Sequence, residues 1–307
     1  MAHGFRFNFF SGVIRSNFIV VATTNCPLCK SNNIRERAKV GAFFKVWRCR
    51  ECTFTWVDRS DLAKPEAAPS DQDYDYNRVL RNVFEQMKPL YVKGLQERMT
   101  RTLGERSLQN CSFLDVGCAN GEYLQTAKSM GFGTVAGVEI DASAPKQASV
   151  YGEVTDDVCK FAPSTFDVVQ IKNVLNNIAD FVDFLSSCLK VLKPDGFLLL
   201  DVLNQDSLTA LLRNNWGRDY QKTGRYGPLR PPYVINGFNQ VSIKELYRRF
   251  GLTPTWISTS YMGTSVVPSA PNFMVKVLGL AGSLLRKGSM LITEAKPITS
   301  VTSSNHE

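Results

Sequence analysis

The sequence predicts an α/β fold, a parallel sheet with helices on both faces, preceded by a small cysteine-stapled module. Two observations predict it. From residue 112 onward, apolar segments alternate with helical ones: SFLDVG, a helix over about 122–129, TVAGVEI, a short helix, FDVVQI, a long helix and FLLLDVL. Ahead of them, four of the chain's eight cysteines form two Cys-x-x-Cys pairs, Cys26/Cys29 and Cys49/Cys52.

Each pair has the spacing that lets one tight turn aim two thiolates at one ion, and two such turns complete a tetrahedral Zn²⁺ site. FFKVWRC and CTFTWV, alternating or aromatic, read as short strands beside the knuckles, so residues 25–58 are expected to be a zinc ribbon. A redox site needs only one such pair in a thioredoxin-like setting, and disulfides imply a secretory context that no signal sequence supports. With all four positions filled by cysteine the zinc is structural; stripping it should unfold the ribbon and leave the larger domain intact.

Residues 59–77, rich in Ala, Pro, Ser and Asp, read as a linker. Leu80, Val83, Phe84, Met87, Tyr91, Leu95 and Met99 then recur at helical spacing, with Pro89 expected to kink or divide the helix. The long helix after FDVVQI is expected from about Val174 to Leu192, with Ile178, Phe181, Val182, Leu185, Leu189 and Leu192 on one stripe and KPDG ending it. Residues 1–24 are expected to be a loosely docked extension without a signal-type core, and 298–307 a disordered tail. No apolar run reaches the ~18 residues of a spanning helix; the best, 273–285, is broken by Lys276 and two glycines and reads as a packed helix. The expected location is the cytoplasm. A net charge of +8 suits nucleic acid, phosphorylated substrates or plain solubility, and does not choose among them.

FLDVGCANGEYL, residues 113–124, reads as a strand, a small-residue loop and a helix start. Gly117, Ala119 and Gly121 let a ligand approach the backbone closely. A dinucleotide fingerprint would carry a third glycine where Glu122 stands, and that carboxylate opposes a pyrophosphate. Asp115 adds a second carboxylate, so a ligand with an amino group and a sulfonium suits the loop better. Glu139, ending the next strand, is placed to accept hydrogen bonds from ribose hydroxyls.

FLDVGCANGEYL, VAGVEID, FDVVQIKNVLNNIAD and CLKVLKPDGFLLLDVLN together resemble class I S-adenosylmethionine-dependent methyltransferases over residues 78–297, about two-thirds of the chain. The resemblance implies a Rossmann-like fold with a mostly parallel seven-stranded sheet. It implies that Asp115, Gly117, Ala119 and Gly121 surround the methionine part of the cofactor, that Glu139 holds the ribose, and that Asp156 or Asp157 lies near the adenine. The sequence departs from the family at Ala119, which replaces a common glycine. It departs again at NVLNN, where Asn173, Asn176 and Asn177 stand for two histidines and a glutamate of an H-V-L-E-H pattern, and at Val234, where a histidine is frequent. The only histidines are His3 and His306.

Residues 205–241 follow the last parallel strand and read as a lid. Arg213, Arg218, Arg225 and Arg230 are its candidate substrate-binding residues, since guanidinium forks grip phosphate or carboxylate. Tyr220, Tyr226, Tyr233, Lys172 and Asp201 are candidate proton acceptors. Three functions follow: methyl transfer to a small anionic molecule such as a nucleotide-linked sugar or carboxylate; RNA methylation with the ribbon gripping RNA; or a non-catalytic cofactor-binding scaffold.

Overall fold

The computed structural model describes residues 24–62, 76–140, 145–216, 224–260 and 284–298, with Tyr220, Val277 and residues 281–282. The expected extension up to residue 23, residues 63–75 of the expected linker, Arg218, the side chain of Arg213, most of the 273–285 run and the tail from 299 lie outside them.

The cysteine module begins with two turns of matching geometry. Cys26 N–H bonds to Ser31 O at 2.8 Å and Cys49 N–H to Phe54 O at 2.9 Å, the same offset in both. The residue after each pair, Lys30 and Thr53, takes a left-handed φ of 65° and 59°. Between the turns run strands β1 (Ile34–Val40) and β2 (Phe44–Cys49), antiparallel, followed by β3 (Thr55–Val57) against β2.

Helix α1 (Arg59–Leu62) occupies the first four residues of the segment expected as linker, because Asp61 turns inward to accept from Lys45 N–H at 2.8 Å. Helix α2 (Tyr76–Leu103) starts inside that segment too and runs on past Pro89 without dividing. It buries Leu95, Met99 and Leu103 against the large sheet.

That sheet is built from β4 (Ser112–Val116), β5 (Thr134–Val138), β6 (Glu153–Thr155), β7 (Phe166–Lys172), β8 (Leu192–Leu203), β10 (Leu252–Ser260) and β11 (Met290–Pro297). A two-residue strand, β9 (Asn236–Gly237), lies elsewhere. The order is β10-β11-β8-β7-β4-β5-β6, with β4 to β8 parallel and β11 antiparallel to both its neighbours. Helices α3 (Glu122–Met130), α4 (Pro145–Ala148), α5 (Phe181–Lys190), α6 (Leu208–Trp216) and α7 (Gln240–Arg249) connect the strands. This is the Rossmann-like, mostly parallel seven-stranded fold. Successive strands are added in opposite directions from β4 and from β7, β4-β5-β6 one way and β7-β8 the other, and this change of order opens a crevice at the carboxyl ends of β4 and β7.

Two expectations about the 173–196 region are corrected. Helix α5 starts at Phe181, and Val174 to Asp180 is a turn-rich loop. Asn173 adopts φ 58°, and Asn236 Nδ2 takes the carbonyls of Leu175 and Ile178, both at 2.7 Å, that a helix would have used. The KPDG stretch does not precede β8 but lies within it. Phe166 pairs with Leu192 and Val168 with Phe197, so the extra residues bulge out of the ladder.

The ribbon is not a detached module. Strand β9, from the segment expected as a lid, pairs antiparallel with β3 and extends the ribbon to the four-stranded order β1-β2-β3-β9. Phe54 of the ribbon packs against Phe181 and Phe238 at ring separations of 5.2 and 5.0 Å. Cys26, Leu28, Cys49, Phe54 and Trp56 share one buried cluster with Leu114, Ile171 and Leu200 of the large sheet. Arg249 at the end of α7 donates to the carbonyls of Pro27 and Leu28. Disrupting the cysteine turns is therefore expected to weaken the whole chain, rather than the ribbon alone.

Asn236 is the centre of this junction. Its side chain accepts from Arg59 Nη2 at 2.6 Å as well as donating to Leu175 and Ile178. Asn236→Ala should lower the unfolding free energy by about 3 kcal/mol, because several buried partners lose their bonds at once. Urea unfolding followed by far-UV circular dichroism measures it.

Candidate active site

The loop after β4 is shaped by two glycines. Gly117 has φ 83°, and a Cβ there would lie 2.4 Å from Val174 Cγ2, so the β4 and β7 loops touch only because position 117 is bare. Gly121 has φ 87° and backs onto the Ala148 backbone, where a Cβ would meet Cα at 2.7 Å. Between them Ala119 holds φ 46°, a conformation costing a non-glycine residue about 1–2 kcal/mol. That cost explains why glycine is common there in the resembling family.

The Ala119 backbone is held by Glu139. Its carboxylate accepts from Ala119 N–H at 2.9 Å and from Ile140 N–H at 2.8 Å, joining the end of β5 to the loop. Beyond β6, Asp157 caps a short 3-10 turn by accepting from Cys159 N–H at 2.9 Å, and Asp156 pairs with Lys160 at 2.5 Å on the surface. The structure thus brings Glu139 onto the glycine loop and leaves Asp156 and Asp157 at the outer strand.

Asp115 lies beneath the loop, buried, with Gln170 Nε2 donating to it at 3.0 Å. Burial pushes its carboxyl up to about 7, and the Gln170 bond only partly offsets this. Two buried polar atoms flank the same crevice without a hydrogen-bond partner, Asn120 Nδ2 after β4 and Asn173 Oδ1 after β7. Sequence reasoning noted Asn173 only as a lost histidine and passed over Asn120. Such orphaned atoms, one donor and one acceptor, fit a ligand bearing a carboxylate and an ammonium. The residues present therefore fit the methionine part of S-adenosylmethionine.

On the other side of β7, Lys172 Nζ donates to Tyr123 OH at 2.6 Å and lies 3.5 Å from Asp201 Oδ2. The opposite oxygen of Asp201 takes Arg98 Nη1 at 2.8 Å. Arg98 also faces Glu294, which holds Arg101 at 2.6 Å. Of the acid–base candidates, Lys172 and Asp201 thus stand together at the carboxyl end of the sheet.

The tyrosines go elsewhere. Tyr226 is buried in a cluster with Ala38, Val40, Phe44 and Val46 of the ribbon, and its hydroxyl accepts from Arg37 Nε at 3.1 Å. Tyr220 packs edge-on against Tyr226 and donates to Asn214 O at 2.8 Å. Tyr233 lies beneath the Arg230 guanidinium, 5.5 Å from ring centre to Cζ. Arg225 is partly buried in the same segment.

The remaining NVLNN residues are scaffold. Asn176, fully buried, donates to Asn236 O at 2.7 Å and accepts from Leu203 N–H at 3.0 Å, tying the β7 loop to β9 and to the end of β8. Asn177 Nδ2 donates to Asn173 O at 3.3 Å.

The four ribbon sulfurs lie within 4.8 Å of one another, with Cys26–Cys52 and Cys29–Cys49 each at 3.6 Å. A disulfide would need about 2 Å. Tetrahedral coordination at the usual zinc–sulfur length of about 2.3 Å separates sulfurs by roughly 3.8 Å. Left alone, the thiols conflict. The Cys52 hydrogen bond pulls Cys26 down to about 6, the same bond pushes Cys52 up, and burial pushes Cys29 up to about 11.

A family model described as a methyltransferase domain matches residues 83–255. The chain belongs to that methyltransferase family. With this fold and loop it is a class I S-adenosylmethionine-dependent methyltransferase. It is 26% identical over 167 residues to a ubiquinone biosynthesis O-methyltransferase of Pseudomonas putida, covering 51% of this chain and 68% of that one. It is 25% identical over 176 residues to the mitochondrial enzyme of the same name from Bos taurus, covering 52% and 47%. A solved SAM-dependent methyltransferase from Archaeoglobus fulgidus superposes with a TM-score of 0.48 at 18% identity, covering 72% of this chain and all of that one. Among the described residues of the methyltransferase no helix is long and apolar enough to cross a membrane.

The elevated Asp115 pKa sets a pH dependence. A carboxyl raised in the folded state stabilises the fold at low pH, and that contribution is lost as pH rises from about 4 to about 7. Ligand-free protein should lose stability over this window, and Asp115→Asn should flatten the slope. Over the same range S-adenosylmethionine, with its extra positive charge, should gain more affinity than its demethylated product. Melting and titration calorimetry at three pH values check both.

Proposed function

We propose that this methyltransferase moves a methyl group from S-adenosylmethionine to a small anionic molecule, such as a nucleotide-linked sugar or a carboxylate. The observation that carries the acceptor class is the position of the ribbon. Asn176 ties β9 to the carboxyl ends of β7 and β8, and β9 carries the ribbon, so the cationic ribbon and the 205–241 segment border the side from which an acceptor approaches. Arg225 and Arg230 on the segment, with Arg213 and Arg218, are its proposed anion-gripping residues.

When bound, the cofactor would supply a sulfonium-activated methyl carbon open to in-line attack, with the neutral thioether as leaving group. Asn120 and Asn173 would hold its carboxylate and ammonium, and Glu139 would take the ribose hydroxyls. Asp156 and Asp157 would border the adenine. Asp115 would place a negative charge under the cationic part. The chain's contribution is chiefly alignment of acceptor and methyl carbon. An acceptor ionised at neutral pH needs no proton removed, which agrees with asparagines standing where the family pattern has histidines. For a less acidic hydroxyl, the Lys172 ammonium, close to both Tyr123 and Asp201, would stabilise the developing negative charge on the acceptor oxygen. The relatives' names support oxygen as the accepting atom.

The cysteine cluster is proposed to hold one structural Zn²⁺, which would resolve the conflict among the four thiols. Elemental analysis of protein purified without chelator should give one zinc per chain, and chelation should lower the melting temperature of the whole molecule in one transition. Protein purified without zinc would overturn this assignment.

Glu139→Ala should weaken both S-adenosylmethionine and its demethylated product roughly tenfold to a hundredfold, as loss of hydrogen bonds to a charged group does. Calorimetry with NAD binding and no S-adenosylmethionine binding would contradict the reading. Offering labelled cofactor with a small-metabolite pool and, separately, with total RNA should label small acids. Label entering RNA only when the ribbon is intact would replace this acceptor class with RNA.

A further inference from the structure

Three arginines of the ribbon, like the isolated Arg286 but unlike most of the others described, have guanidinium groups largely without partners, and these three lie together. Arg98, Arg101, Arg106 and Arg248 each meet a carboxylate, and Arg59 and Arg249 donate to oxygen acceptors. Among the described residues Arg35 and Arg50 donate side-chain hydrogen bonds to nothing, and Arg37 engages only its Nε, on Tyr226. All three are exposed.

They converge on one end of the β1–β2 hairpin. Arg35 stands directly opposite Arg48 in the ladder, a like-charge pair that ordinarily destabilises a sheet. A bulge between Glu36 and Ala38 sets Arg37 out of register. Arg50, just past β2, is fastened beside β1 by its backbone bond to Asn33 O at 2.9 Å. Arg37, Arg50 and Arg48 together push the Arg35 guanidinium below its ordinary range, so repulsion within the cluster is felt.

The acidic groups nearby are engaged or turned away. Asp206 takes both Arg48 nitrogens at 3.0 and 3.2 Å. Glu51 accepts from Asn33 at 2.7 Å. Glu36 pairs with Trp47, one step along the ladder from Arg35, and so lies on the opposite face. Asp206 lies just beyond the end of β8, so the Arg48 fork ties this cationic end to the carboxyl rim of the catalytic sheet.

We infer that Arg35, Arg37 and Arg50, beside the Arg48–Asp206 pair, form a binding site for a phosphate or diphosphate group of a small-molecule acceptor. The inference rests on the small, anionic acceptor proposed above and names its anionic part. Unengaged guanidinium forks match phosphate oxygens two at a time. Three uncompensated cations on one hairpin end suit one or two phosphates, whereas RNA would call for a longer cationic track.

The test uses the full chain loaded with S-adenosylhomocysteine, titrated with inorganic pyrophosphate and separately with a single-stranded RNA oligonucleotide. Pyrophosphate should bind, and the double substitution Arg35→Gln, Arg50→Gln should weaken it at least about tenfold, the scale of one or two charged hydrogen bonds. The melting temperature of the free variant should be unchanged or higher, because like charges have been removed, and its S-adenosylhomocysteine affinity should be unchanged. Equal pyrophosphate binding by both proteins, or none by either, overturns the inference. RNA binding that falls steeply with salt and is lost in the variant overturns it together with the small-acceptor reading. Methyl transfer to an unphosphorylated small acid, with no pyrophosphate binding, overturns this inference alone.

Discussion

Asn236 and Asn176 bind each other through backbone and side chain, and everything around the catalytic edge is arranged on that pair. Asn236 N–H donates to Asn176 O at 2.9 Å and Asn176 Nδ2 donates back to Asn236 O at 2.7 Å. A two-residue strand such as β9 has little ladder of its own to hold it. Here the carboxamides fix it to the β7 loop, and the strand in turn completes the ribbon sheet. Buried amides with all these partners specify one geometry, because any slip leaves several of them unsatisfied. The ribbon therefore has a fixed position relative to the crevice, which a flexible tether would not provide.

The side of the sheet facing α2 is organised by charge. Arg98, Asp201 and Glu294 are all buried, and such ions cost several kcal/mol each to desolvate unless their partners are well placed. Most of the partners are well placed: Arg98 spans β8 and β11 by bonding Asp201 and the Thr293 carbonyl at 2.8 and 2.7 Å, while its Nε lies 3.4 Å from Glu294 without a hydrogen bond. From the opposite face of the sheet, Tyr247 of α7 reaches the Thr293 hydroxyl, which donates to Leu200 O at 2.7 Å. The network adds little net stability by this reasoning. What it does is hold the carboxyl end of β8, and with it Lys172, in one place beside the glycine loop.

Patterns with fixed local spacing were legible in the sequence. The paired cysteines, FLDVGCANGEYL and the strand ends carrying Glu139 and Lys172 all encode geometry within a few residues. The 174–192 helix was misread because its apolar stripe is real, yet Ile178 and Leu175 are buried by a loop whose carbonyls are taken by Asn236, far away in sequence. Strand β9 is two residues long, too short for any periodicity to register. Residues 205–241 read as a lid because they are long and aromatic. Tyr226, with Tyr220 packed on it, lies instead in one cluster with the inner face of the ribbon, a contact that only the folded β1–β2 hairpin creates. Asn120 and Asn173 carry no sequence signal of their own, since a polar atom becomes an orphan only once its surroundings are packed.

The asparagines of NVLNN bear on how the ribbon and the chemistry are connected. Asn176 stands where the resembling family has a glutamate, and it staples the segment that carries β9. A charged carboxylate there could accept from Leu203 N–H but could not donate to Asn236 O, so the neutral carboxamide is the side chain that serves both neighbours. Asn173, at the first histidine position, keeps a buried acceptor oxygen without a hydrogen-bond partner but has no readily titrating group. One run of sequence has thus exchanged proton-transfer side chains for hydrogen-bonding ones at the same place where a second sheet is attached. The proposed acceptor, already ionised and with its anionic group held by that second sheet, would make both changes consistent: the ribbon would contribute binding and alignment, and the β7 loop would have no proton to remove.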